Sequence, residues 1–193
     1  MRFSNVDAWG DTLLVGLFTG QIMRSSNNGA SWDTVMKEYG TPGAAFIDGV
    51  RFITKDTAVA YGDLVDSTMH VVQSVDGGIT WNRITTGLPQ TAAFKTYIFA
   101  TAEGSGMAVS GSTIWLNLHY GTGGATGILK STDRGTTWQL IIPAAINAES
   151  NYRMGSIAFK NDSIGYAIAY GVNPRRLYKT TDGGATWSSA LNL

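Results

Sequence analysis

Four copies of one eight-residue pattern punctuate the 193-residue chain, and no other feature limits its fold so severely. They are Ser25-Ser26-Asn27-Asn28-Gly29-Ala30-Ser31-Trp32, Ser74-Val75-Asp76-Gly77-Gly78-Ile79-Thr80-Trp81, Ser131-Thr132-Asp133-Arg134-Gly135-Thr136-Thr137-Trp138 and Thr180-Thr181-Asp182-Gly183-Gly184-Ala185-Thr186-Trp187. Position one is Ser or Thr, three is Asp or Asn, five is Gly, seven is Ser or Thr, and eight is Trp. The acidic or amide residue accepts hydrogen bonds from backbone N–H groups just ahead of it and closes the turn locally. The Gly takes a left-handed conformation that other residues resist. The Trp opens the following strand and offers a large apolar plate for burial. Each copy is therefore a hairpin fastener with a hydrophobic anchor.

The flanks supply strands. Before the copies lie Gln21 to Arg24, His70 to Gln73, Gly127 to Lys130 and Arg176 to Lys179; after them the chain continues through Trp81 to Ile84 and Trp138 to Ile141. Further upstream are β-rich runs ending in an aromatic residue near Gly: Leu13 to Phe18, Thr57 to Tyr61, Ile114 to Tyr120 and Ile164 to Tyr170. A fourth strand precedes these, clearest in Val50 to Ile53 and Ser156 to Phe159. Each repeat thus holds four strands, a to d, with the pattern on the c–d turn. No stretch has helical periodicity, so an all-β fold is expected. The Trp-to-Trp intervals are 49, 57 and 49 residues, which reads as a two-repeat unit used twice. The segment 91–103 has no counterpart ahead of the first repeat.

These boxes resemble the Asp-box, or bacterial neuraminidase repeat, over essentially the whole chain. The even repeats, with Gly165-Tyr166-Ala167 ahead of Lys179-Thr180-Thr181-Asp182-Gly183-Gly184-Ala185-Thr186-Trp187, look most like the non-enzymatic photosystem II assembly factors and exported bacterial members. The resemblance implies a β-propeller, the architecture that radial repetition of four-stranded sheets also predicts. One domain over 1–193 is expected, with blades at about 1–37, 43–87, 94–142 and 152–193. A ring left incomplete, or completed by a second copy, is expected ahead of a closed ring of four. The structural box residues are Ser25, Asn27, Gly29, Trp32, Ser74, Asp76, Gly78, Trp81, Ser131, Asp133, Gly135, Trp138, Thr180, Asp182, Gly184 and Trp187.

Composition narrows the function. Fourteen basic residues balance fourteen acidic ones, with no basic run, which argues against nucleic acid and against insertion at an anionic membrane. There is no Cys, which removes disulfides and thiolate chemistry and suits an exported bacterial protein. His70 and His119 are the only histidines and belong to no spaced ligand cluster, so neither metal nor cofactor is expected.

Alternating strand direction puts the boxes and the a–b turns on one face, and the b–c and d–a loops on the other. That second face is the expected ligand surface, carrying Tyr39, Asp63, Asp66, His119, Tyr152, Arg153, Arg175 and Arg176 for a protein or glycan partner. A sialidase would need an arginine triad, and Arg24, Arg83 and Arg134 are already placed beside or in the boxes. A glycosidase needs two facing carboxylates, and Glu38, Asp63, Asp66, Glu103 and Glu149 are loop candidates with no pair marked out. A non-catalytic binding or assembly module is the expected function. A fragment of an Asp-box glycoside hydrolase and a purely structural scaffold are the alternatives.

Overall fold

The computed structural model describes residues 2–37, 46–62, 70–88, 97–99, 106–120, 126–148, 153–170 and 175–192. The first repeat folds as β1 (Phe3–Trp9), β2 (Thr12–Leu17), β3 (Ile22–Ser25) and β4 (Asp33–Met36), paired in that order as an antiparallel meander. The second gives β5 (Ile47–Phe52), β6 (Ala58–Gly62), β7 (Val71–Ser74) and β8 (Asn82–Ile84). The third gives β9 (Tyr97–Phe99), β10 (Met107–Ser110), β11 (Thr113–Tyr120), β12 (Thr126–Ser131) and β13 (Gln139–Ile141). The fourth gives β14 (Arg153–Phe159), β15 (Gly165–Tyr170), β16 (Arg176–Thr180) and β17 (Ser188–Asn192). Four antiparallel sheets, each a four-stranded meander with β9 added to the third, form an all-β, propeller-like fold.

The longer second interval, Trp81 to Trp138, has a local explanation. In the first, second and fourth sheets the inner strand carries a one-residue irregularity, at Ser4, Asp48 and Gly155. In the third sheet β9 and β10 both pair with β11, at Phe99↔Leu118 and Met107↔Leu116, with the Asn117 N–H donating to the Gly106 carbonyl. The chain leaves the inner strand where the other sheets have a bulge, and returns to the same row. Bulges are where a strand tolerates extra residues, because the ladder is already interrupted there.

One element departs from the all-strand reading. After β13 a single helical turn, α1 (Ala144–Asn147), follows Pro143. Proline fixes the backbone for a first helical turn, and four residues are too few to leave a periodic signal. Ile146 of this turn is buried, and the Asn147 amide both accepts from and donates to the Thr126 backbone, at 2.8 and 2.9 Å.

Packing runs from each sheet to the next. Leu14 and Ile22 of the first sheet join Val50, Phe52, Ala58, Ala60 and Val72 of the second. Val59, Tyr61 and Val71 on the opposite side of the second join Met107, Ile114, Leu116 and Leu129 of the third. Trp115 and Ile128 of the third join Ile157, Ala167, Ala169 and Tyr178 of the fourth. No such cluster joins the fourth sheet to the first among the described residues, and the ring is not closed.

Candidate functional site

The boxes are built around a hydroxyl. In the second copy Ser74 Oγ donates to Asp76 Oδ1 at 2.8 Å and accepts the Gly78 N–H at 2.8 Å. Ser25, Ser131 and Thr180 make the same pair of bonds in their own boxes. The carboxylate then accepts the N–H of the residue four ahead, at 2.9 Å in Thr80, Thr137 and Thr186. Asn27 accepts the Ser31 N–H likewise, and its amide donates to the Ser31 hydroxyl. The Nε1 of each of the four box Trp residues donates to the carbonyl of its own box Gly, at 2.9 to 3.2 Å. Each box is tied to the a–b turn of its own sheet, as where the Gly77 N–H donates to the Asp56 carbonyl. Gly29, Gly78, Gly135 and Gly184 all have positive φ, between 85° and 93°, which only Gly takes without strain. The position-one hydroxyl is thus the hub of the turn, a role that the sequence pattern alone did not assign.

These bonds hold the box carboxyls down. For Asp76 burial pushes the carboxyl up, but the Thr80 hydroxyl and N–H, with Ser74 and Ile79, outweigh it and bring it to about 2. The Thr186 hydroxyl and N–H lead the lowering of Asp182, also to about 2. Asp133 moves down too: burial opposes the shift, and Thr137 and Ser131 prevail. A depressed folded-state value means stability that is full above the unfolded value near 4 and lost as pH falls toward 2. Replacing Asp76, Asp133 and Asp182 together by Asn is expected to destabilise the protein at pH 7. The loss should be about 0.5–1 kcal/mol per box, small because these groups are solvent-screened. Urea titrations at pH 7, 4 and 2.5 should show the gap between parent and variant closing as pH falls. A gap independent of pH would contradict this.

Of the expected ligand residues, Tyr39, Asp63, Asp66 and Tyr152 lie outside the described residues, as do Glu38, Glu103 and Glu149. His119 is the last residue but one of β11, opposite Thr126, and Arg153 begins β14 opposite Tyr170; their side chains are likewise not described. Arg175 is exposed, and half-buried Arg176 begins β16 opposite Ala169. Strand direction places these four positions at the sheet ends opposite the boxes. His70 is buried immediately before β7. Among the described residues no group of three or more His, Asp or Glu could hold a metal ion, and no helix is long and apolar enough to cross a membrane.

The structure brings together a different set. A cleft of about 220 Å³ opens where β1, β5 and β10 converge, lined by Asn5, Asp7, Gly49, Arg51, Tyr61 and Met107 among others. Its polar groups are anchored on neighbouring backbone. Asn5 Oδ1 accepts the Val50 N–H at 2.9 Å and Asp7 Oδ2 the Phe52 N–H at 2.7 Å, capping donors on the edge of β5. Arg51 Nη1 donates to the Met107 carbonyl at 3.2 Å. Tyr61 lies buried beneath, its hydroxyl held well above the ordinary phenol range by burial and then by the charge of Asp48, with Arg51 opposing. The cleft therefore sets one anion and one cation over a neutral phenol. Sequence reasoning missed it because its residues come from strands of three different repeats: Asn5 and Asp7 from β1, Gly49 and Arg51 from β5, Tyr61 from β6 and Met107 from β10. The available signal was the alternation of Asn5 and Asp7 on a strand whose partners are apolar.

No protein-family model matches the sequence, and no curated protein does. Solved structures share its fold. YCF48 bound to D1 peptide aligns over 97% of this chain at 12% identity, with a TM-score of 0.56. YCF48 from Cyanidioschyzon merolae aligns over 95% at 17% identity and a TM-score of 0.54. Trypanosoma rangeli sialidase in complex with the inhibitor DANA aligns over 98% at 12% identity and a TM-score of 0.62. The chain spans 66%, 57% and 38% of their respective lengths, less than two thirds in each case. The fold is that of the Asp-box propellers expected from the sequence.

Proposed function

We propose that this chain is a non-catalytic β-propeller module that binds an extended peptide segment of another protein. The observation that carries the reading is the cleft between the inner strands. Asp7 and Arg51 present opposite charges there, each oriented by a hydrogen bond to backbone, and pre-oriented groups lose little entropy on binding. A peptide supplies both signs of charge and a repeating donor–acceptor backbone. Hydrolysis of a glycoside would need two facing carboxylates, and among the described residues Asp7 is the one carboxylate lining this cleft. A propeller of the same fold, YCF48, is described as bound to a peptide, which supports the choice.

The proposal extends to the organisation of the chain. Residues 1–193 form one propeller domain with blades near 1–37, 43–87, 94–142 and 152–193. The loop face carrying Tyr39, Asp63, Asp66, His119, Tyr152, Arg153, Arg175 and Arg176 widens the binding surface, and the protein works after export. A peptide array read by fluorescence should give a set of binders whose affinity falls about tenfold or more in Arg51→Gln, with the melting temperature held within a few degrees. Hydrolysis of aryl glycosides that is lost in Asp63→Asn or Asp66→Asn would overturn it in favour of a glycoside hydrolase. Glycan binding without peptide binding would replace the partner class.

A further inference from the structure

Corresponding positions of the four sheets follow from their registers, and they differ in one respect. Val6, Val50, Met107 and Ile157 occupy the same inner-strand site, facing the preceding sheet. Val50, Met107 and Ile157 are 2%, 5% and 5% exposed, whereas Val6 is 58% exposed. On the opposite sides Leu14, Val59, Trp115 and Tyr166 correspond, facing the following sheet. The first three are 0% exposed and Tyr166 is 38% exposed. Around Val6 lie Phe3, Leu13, Val15, Met23 and Trp32, lining a hollow of about 580 Å³. Beside Tyr166 stand exposed Ile168 and Leu191 and half-buried Leu177. The two ends of the array are thus the two halves of an interface it already forms three times internally.

The polar contacts repeat in the same way. Arg24 Nε donates to the Gly77 carbonyl of the next sheet at 2.9 Å, Gln73 Nε2 to that of Arg134 at 2.8 Å, and Lys130 Nζ to that of Gly183 at 2.9 Å. Each donor immediately precedes its box hydroxyl, and each acceptor is position four of the next box. The fourth donor in this series is Lys179, and the remaining acceptor is the Asn28 carbonyl. Asn28 shares the left-handed φ of the other three acceptors, 55° beside 72°, 61° and 72°, so its carbonyl is aimed alike. The box glycines continue the match. A Cβ on Gly78 would strike Leu14, and one on Gly135 would strike Val59, whereas Gly29 has only its own Trp32 nearby.

We propose that a second copy of this chain docks head to tail on these faces. Tyr166 and Ile168 of one copy enter the hollow around Val6 and Gly29 of the other, and Lys179 Nζ donates to the Asn28 carbonyl. Two such contacts close a ring of eight blades, within the four-to-eight range of propellers, where three copies would exceed it. The proposal is independent of what the cleft between the inner strands binds.

Light scattering on the 193-residue chain should give about 41 kDa, twice the 20.6 kDa of one chain. Val6→Glu and Ile168→Glu alter exposed side chains, so both variants should keep the parent's circular dichroism. Each alone should run as a monomer. Their equimolar mixture should re-form a dimer, because one intact head then meets one intact tail. Lys179→Met should raise the dimer dissociation constant about tenfold. A monomeric parent, a ladder of larger species, a dimer that survives in either single variant, or a mixture that stays monomeric would overturn the proposal.

Discussion

Replacing Trp115 by alanine is expected to lower the unfolding free energy by about 3–5 kcal/mol, the range for truncating a buried aromatic side chain. Trp115 is fully buried on the side of the third sheet that faces the fourth. Its ring stacks on Phe159 with centroids 3.7 Å apart and planes 6° from parallel. Its Nε1 donates to the Gly183 carbonyl at 2.9 Å, and Lys130 Nζ lies 5.5 Å above the ring. Truncation opens a cavity between two sheets and removes one of two donors to the box of the fourth. The damage should therefore concentrate there, and amide exchange in 153–192 should accelerate more than in 46–88. Trp115→Phe keeps much of the apolar surface and loses the indole donor, so its loss should be clearly smaller. A urea midpoint for Trp115→Ala within error of the parent would refute this account of the interface.

The second large effect is expected at Gly62, whose replacement by alanine should destabilise by about 3 kcal/mol or more, at the upper end for overpacking. A Cβ there would lie 1.8 Å from the Phe46 carbonyl oxygen and 2.9 Å from its carbon. The obstacle is backbone, fixed by the pairing of Ile47 with Gly62 beside the bulge at Asp48, so no rotamer change relieves it. Gly10→Ala is the matched comparison. Gly10 has φ 57° with nothing within 4 Å of its Cβ position, so only the left-handed penalty of about 1–2 kcal/mol applies. Equal losses at the two glycines, measured by urea denaturation, would show that space at Gly62 is not the constraint.

Much of the fold was legible in the chain because the repeated information is local. The run Ile164 to Tyr170 folds as β15 at Gly165–Tyr170, and Ile114 to Tyr120 as β11 at Thr113–Tyr120. Burial of the Trp residues was read less well. Trp138 and Trp187 are 5% and 6% exposed, but Trp32 is 38% exposed. The box gives each Trp the same local geometry, whereas its burial depends on the preceding sheet, and none covers the first. The helical turn after Pro143 escaped notice since one turn has no period. Of the expected loop-face residues, Tyr39, Asp63, Asp66 and Tyr152 lie outside the described residues, whereas His119, Arg153 and Arg176 fall within strands, near their ends. The cleft escaped because Asp7, Arg51 and Met107 are separated by 44 and 56 residues and meet only when three sheets converge.

What the sequence by itself determined is the blade: four strands, an up-and-down order, and a turn fastened by a set of hydrogen bonds that close within eight residues. Interactions of that span are set by residue type and spacing, so they can be read without knowing where the rest of the chain lies. Tertiary structure decided which sides of those blades meet, that Arg24, Gln73 and Lys130 reach forward to the next box, and that the faces of Val6 and Tyr166 stay uncovered. Every blade has the same two apolar sides in sequence. Whether a side becomes core or surface depends on a neighbour, and that is a property of the array, not of the repeat.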